Sequence, residues 1–167
     1  EKAWLEVQNA QLREELTPSP DRALPREQVF SDPRFRSVQW LGKDYQLKLK
    51  LEEIGQLYAS THTYMPGEYD CNDMACDLWN MLRTEGIVSV IVVGNRNMTG
   101  ETLEQCAHAW LYVFNGEGEV IYMEPTTGEV MYGRLPDGST NPRVAPYREG
   151  YIYEKPSDLR KDLKRLW

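Results

Sequence analysis

A four-residue turn between two apolar runs limits what this chain can become more than any other feature. His108-Ala109-Trp110-Leu111-Tyr112-Val113-Phe114 and Glu119-Val120-Ile121-Tyr122-Met123 are rich in β-branched and aromatic residues, and Asn115-Gly116-Glu117-Gly118 between them supplies what a tight reversal needs. Runs joined this closely read as an antiparallel pair, because a parallel pair needs a long crossover. With the turn centred near Gly116 and Glu117, the numbers of paired residues sum to about 232 to 234, so His108 falls opposite Glu124 to Thr126. Alternation along the first strand sends His108, Trp110 and Tyr112 to one side. Hairpin geometry alone therefore sets a carboxylate, Glu124, beside an imidazole.

Around the hairpin the patterning continues. Ile87 to Val93 is a nearly continuous β-branched run closed by Gly94, and shorter strands are expected near Glu129 to Tyr132 and Gly150 to Tyr153. Pro156-Ser157-Asp158 opens a short charged helix. Upstream the period changes to that of a helix. Tyr45, Leu47, Leu51, Ile54, Leu57 and Tyr58 recur at helical spacing between Lys43 and Ser60, until His62, Pro66 and Gly67 break the run. Asp70 is a helix cap, and Met74, Ala75, Leu78, Trp79, Met81 and Leu82 carry the next helix to Gly86, which places Cys71 in the first turn of a buried helix. Glu1 to Leu16, with Trp4, Leu5, Val7, Leu12 and Leu16, reads as an amphipathic helix; Pro18, Pro20, Pro25 and Pro33 mark Thr17 to Pro33 as an extended connector. Helices followed by mostly antiparallel strands argue for an α+β fold, with the cysteine-bearing helix packed on the sheet. The chain divides into residues 1–42, helix and connector, and residues 43–167, the domain that holds the candidate site.

Size and charge restrict the partners. A chain of 167 residues is long enough for one core and short for two. Its 19 basic and 26 acidic residues leave a net charge of -7, without the basic face that phosphate neutralisation requires, so nucleic acid and anionic membrane surfaces are discounted. No apolar run approaches the ~20 residues of a bilayer span, and a soluble domain is expected. The chain opens on Glu1 and not on Met, which fits a processed or trimmed form; an extracytoplasmic or membrane-tethered location, through an upstream anchor, is the expectation. No Gly-rich phosphate loop is present, and neither nucleotide nor other cofactor is expected. Three cysteines, Cys71, Cys76 and Cys106, leave at least one thiol unpaired.

A thiol nucleophile needs an imidazole to manage its proton and a third group to orient that imidazole. Cys71, His108 and Glu124 offer one of each. At a helix start Cys71 meets the positive end of the dipole and the N–H groups of the first turn, which favour a thiolate and can donate to an oxyanion. Asp70 and Asp73 oppose this unless they are used in capping.

Three segments, Tyr69-Asp70-Cys71-Asn72-Asp73-Met74-Ala75, His108-Ala109-Trp110-Leu111-Tyr112-Val113 and Glu124-Pro125-Thr126-Thr127-Gly128, resemble in order and spacing the signatures of transglutaminase-like cysteine enzymes, over roughly Leu51 to Tyr132. The resemblance implies a papain-like arrangement with Cys71 as nucleophile, His108 as general base and acid, and Glu124 as orienting carboxylate. It also implies a protein or peptide substrate, whose glutamine side chain or peptide carbonyl passes through a thioester to an amine or to water. Glu124 stands where the family usually has aspartate. Tyr69, Asn72, Trp110 and His62 are further candidates for the oxyanion or the cleft, and Cys76 with Cys106 is a candidate disulfide that leaves Cys71 free. Two other readings stand beside this one: a non-catalytic binding or scaffold module on the same fold, and a zinc site drawn from Cys71, Cys76, Cys106 and His108, although the gap between Cys71 and Cys76 departs from structural zinc spacing.

Overall fold

The β-branched and aromatic runs form one antiparallel sheet in the computed structural model, which describes residues 21–67 and 70–165. The strands are β1 (Ser89–Gly94), β2 (His108–Phe114), β3 (Val120–Glu124), β4 (Glu129–Tyr132) and β5 (Tyr151–Tyr153), in the spatial order β4-β3-β2-β1-β5. Four helices accompany them among the described residues: α1 (Arg26–Ser31), α2 (Asp44–Thr61), α3 (Cys71–Thr84) and α4 (Pro156–Arg165). The hairpin pairs Leu111 with Met123 and Phe114 with Val120, at the upper end of the register range read from the turn. The amphipathic helix expected at Glu1 to Leu16 lies outside the described residues.

Period-two alternation divides the core into two layers. Ala109, Leu111 and Val113 of β2 join Ile91, Val93, Ile121 and Met123 under α2 and α3, which bury Leu47, Leu51, Ile54 and Tyr58 from one helix and Met74, Ala75, Leu78 and Leu82 from the other. Trp110, Tyr112 and Phe114 face the opposite layer with Val90, Val92 and Tyr122. That layer is closed by Val29 and Phe35 from the N-terminal side and by Val144 and Tyr147 from a 3₁₀ turn, Pro142–Tyr147.

The stretch read as an extended connector is corrected here. It contains α1 and buries Val29, then leads on to buried Phe35 and to Ser37, which closes the end of the central strand pair β1 and β2. The Leu24 N–H donates to the Ile152 carbonyl at 2.8 Å, the Ser37 hydroxyl donates to the Phe114 carbonyl at 2.5 Å, and Ser37 Oγ accepts from the Val88 N–H at 2.8 Å. Pro25 sits just before α1, where a missing N–H costs nothing, and the uncovered aromatic face of the sheet supplies the burial that short-range patterning does not show.

One contact between α2 and the loop after β3 fixes the height of the helix over the site. A Cβ at Gly55 would lie 2.2 Å from the Gly128 carbonyl oxygen, and one at Gly128 would lie 2.1 Å from the Gly55 carbonyl oxygen. Gly128 also has φ of +74°, in the left-handed region that favours glycine. Two backbones touch there with no side chain between them, and the touching loop begins at Glu124.

Candidate active site

The start of α3 is built by reciprocal capping. The Asp70 carboxylate accepts from the N–H groups of Asn72, at 3.1 Å, and Asp73, at 3.5 Å, while the Asp73 carboxylate accepts from the Asp70 N–H at 3.2 Å. Both acids beside Cys71 are thus held in the cap. The same geometry corrects an expectation: the Asn72 and Asp73 N–H groups are used by Asp70 and do not point at a substrate. The Cys71 N–H donates to no described residue.

Cys71, only 8% exposed, reaches from the helix layer to the first residue of β2. Its Sγ lies 3.3 Å from His108 Nδ1, and His108 Nε2 lies 2.5 Å from Glu124 Oε2. The other carboxylate oxygen, Oε1, accepts from the Thr126 N–H at 3.2 Å and from the Thr126 hydroxyl at 2.8 Å. Each polar atom of the row therefore has a partner, as a half-buried ionic cluster requires.

The electrostatics follow from these contacts. Burial disfavours the imidazolium, but hydrogen bonds to Cys71 and Glu124 and the Glu124 charge outweigh it and push His108 up to about 9. Burial alone would raise Glu124; the His108 hydrogen bond and charge, with the two Thr126 donors, hold it below the usual carboxylate range. At neutral pH the pair is an imidazolium and a carboxylate, with the positive charge facing the Cys71 sulfur.

The remaining candidates fall in different places. Trp110 is fully buried, donates from Nε1 to the Tyr147 carbonyl at 3.0 Å, and has its ring 5.7 Å from that of His108, so it backs the imidazole and does not line an open cleft. His62 stacks on Tyr58 at 4.1 Å, with Nδ1 3.1 Å from the Tyr58 carbonyl and 2.9 Å from the Thr61 hydroxyl at the end of α2. Tyr69 lies outside the described residues. Cys76 and Cys106 carry separate free thiols, the second donating to the Thr102 carbonyl at 3.3 Å. Among the described residues no three His, Cys, Asp or Glu side chains converge as a metal cage, and no helix is long and apolar enough to cross a membrane. Two cavities, of about 860 and 310 Å³, have no residue of the Cys71–His108–Glu124 row in their walls.

Two neighbours of the row were not singled out from the residues alone. Thr126 lies inside the Glu124-Pro125-Thr126 segment, and a hydroxyl two residues after an acid is a recognisable turn signal. Tyr147 comes from the distant 3₁₀ turn, with its ring 6.4 Å from that of His108. No local pattern announces it.

A family model described as the transglutaminase-like superfamily matches residues 7–127. The match includes Cys71, His108 and Glu124 and ends before the turn that carries Tyr147. No curated protein sequence matches the chain.

Proposed function

Because the chain belongs to the transglutaminase-like superfamily, a family of cysteine-dependent enzymes, we propose that Cys71, His108 and Glu124 act as a catalytic triad for acyl transfer or hydrolysis at a glutamine or peptide carbonyl. The observation that carries this reading is the unbroken row of contacts from the Cys71 sulfur to Nδ1, and from Nε2 to a carboxylate pinned by Thr126. The order of atoms matters, since the imidazole presents one nitrogen to the nucleophile and the other to the group that orients it.

The Cys71 sulfur attacks the carbonyl carbon, and the oxygen takes the electron pair. The Cys71 N–H is the group left to receive that oxyanion, because the cap occupies the next two N–H groups. As the C–N bond breaks, His108 Nδ1 gives its proton to the departing nitrogen, ammonia from glutamine or an amine from a peptide. A thioester remains. Neutral His108 then takes a proton from an attacking amine or water, the C–S bond breaks, and the sulfur and imidazolium are restored. Glu124 stabilises the imidazolium at both ends of the cycle.

The first test is the pH dependence of iodoacetamide alkylation, read at each cysteine by mass spectrometry in the native chain and in His108→Ala. Fast labelling of Cys71 well below the ordinary thiol range of ~8.5, lost in the variant, supports the triad. A glutamine-rich protein offered with a fluorescent primary amine then separates the outcomes: amine incorporation, deamidation or new chain ends. Cys71→Ala should abolish whichever appears. If Cys71 labels like an ordinary thiol and no product depends on it, the fold serves here as a binding module.

A further inference from the structure

The connection between β1 and β2 carries Arg96 between two asparagines, and each asparagine ties it to a different side of the site. Asn95 Oδ1 accepts from the Ala107 N–H at 2.8 Å and Asn95 Nδ2 donates to the Gln105 carbonyl at 2.9 Å, so Asn95 is fastened to the residues that lead into His108. Asn97 turns the chain with φ of +59° and donates its N–H to the Pro146 carbonyl at 3.1 Å, next to Tyr147. Arg96 is held between the two.

Its side chain does little for the fold. Arg96 is exposed, and among the described residues no carboxylate lies within ion-pair distance of it, whereas Arg143, in the same turn as Tyr147, is paired with Glu129. The Arg96 guanidinium lies 5.4 Å from the centroid of the Tyr147 ring, and that ring lies 6.4 Å from the ring of His108. Tyr147 is a fixed platform: its ring packs edge-on against Trp110 at 5.4 Å, and its carbonyl accepts from Trp110 Nε1 and from the Tyr112 hydroxyl, each at 3.0 Å. A cation with open donors thus stands beside the imidazole. The two separations together fall within the span of about four residues of extended peptide, at ~3.3 Å each. A net charge of -7 sets the general field of the chain against acidic peptides, so a local cation is what would admit one.

We propose that Arg96 is a specificity-determining residue that binds a carboxylate of the acyl donor, so that the site favours peptides with Asp or Glu within about four residues of the reacting carbonyl. The assignment rests on the triad reading above and gives that site a substrate class. A guanidinium suits the task because it meets a carboxylate with two parallel N–H donors.

The experiment measures alkylation of Cys71 in the full chain by iodoacetyl peptide amides, with the reactive group at either end and one Asp, or one Asn as the neutral match, at successive positions. Rates are read at Cys71 by mass spectrometry as the ratio of the Asp peptide to the Asn peptide, which cancels any general slowing in a variant. At one position or more, that ratio should fall about fivefold in Arg96→Gln, the scale of one exposed charge pair; whatever the His108 cation adds is common to both chains and stays. Arg96→Lys should keep most of the preference. Arg96→Glu should reverse it, favouring a peptide with Lys in the same place, which lost packing on Tyr147 would not do. A ratio equal in the native chain and in Arg96→Gln at every position overturns the assignment. Iodoacetamide labelling across pH separates this from the larger question. Fast labelling of Cys71 that depends on His108 leaves the triad standing where Arg96 fails, and labelling like that of an ordinary thiol sinks both.

Discussion

Cys71 and Cys76 lie little more than one turn apart on α3, both buried, yet their surroundings differ in kind. Around Cys76, burial pushes the thiol up to about 11; Arg160 works against this, and the charges of Asp73, Asp77 and Asp70 add to it. Cys106 is likewise pushed up to about 11, by burial and then by Glu101. Neither has an imidazole. Cys71 has one at 3.3 Å, fixed on its other side by a carboxylate. Sharing a helix, and even sharing burial, therefore leaves the two thiols in separate settings. The separation comes from a second element, β2, that brings a cation to one turn and not to the next.

The sharpest way to break this contrast is to remove the cation. His108→Ala should slow Cys71 alkylation at pH 7 by at least ~100-fold, with Cys76 and Cys106 unchanged; a parallel change at all three would mean that exposure alone distinguishes them. Smaller, at about tenfold, is the effect expected of Glu124→Gln, which keeps the shape and removes the charge, so that the imidazolium loses its anionic partner and the His108 midpoint falls below 9.

pH should sharpen the contrast as well. His108 has a raised pKa, so its contribution to stability is full below ~6.5 and is lost as pH rises through about 9. Glu124 has a lowered one, so its contribution is full above ~4.3 and is lost as pH falls through its depressed value. Thermal melts should show a plateau between these limbs that flattens in His108→Ala, and turnover should fall above about 9 as the imidazolium discharges. The least effect on the site is expected from Cys76→Ala. It should cost about 1 kcal/mol of folding stability, read by denaturant titration, and leave the labelling rate of Cys71 as it was.

Much of the row is legible in the sequence. The cap at Asp70 and the apolar spacing that follows put Cys71 at a helix start, and the two glycines of the Asn115–Gly118 turn set the register that carries Glu124 toward His108. Both are local signals, settled by residues a few positions apart. What was not legible is of one sort. The pattern leaves the Asn72 and Asp73 N–H groups open, because the reach of the Asp70 side chain is a matter of rotamer. The Thr17 to Pro33 stretch reads as extended because its prolines are visible and the aromatic face awaiting Val29 is not. Tyr147 lies between Pro146 and Arg148 in a 3₁₀ turn with no periodicity, and only the folded sheet brings it to His108.

The touching backbones of Gly55 and Gly128 set a trap for anyone who wishes to make this protein more robust. A glycine in mid-helix is the obvious candidate for replacement by alanine, a change that ordinarily gains roughly 0.5–1 kcal/mol. Here the added methyl would meet a carbonyl oxygen at 2.2 Å, and the loop it would displace is the one that starts at Glu124. A scheme that scores helices one at a time would choose this site early, and would trade the alignment of a distant imidazole for a better helix.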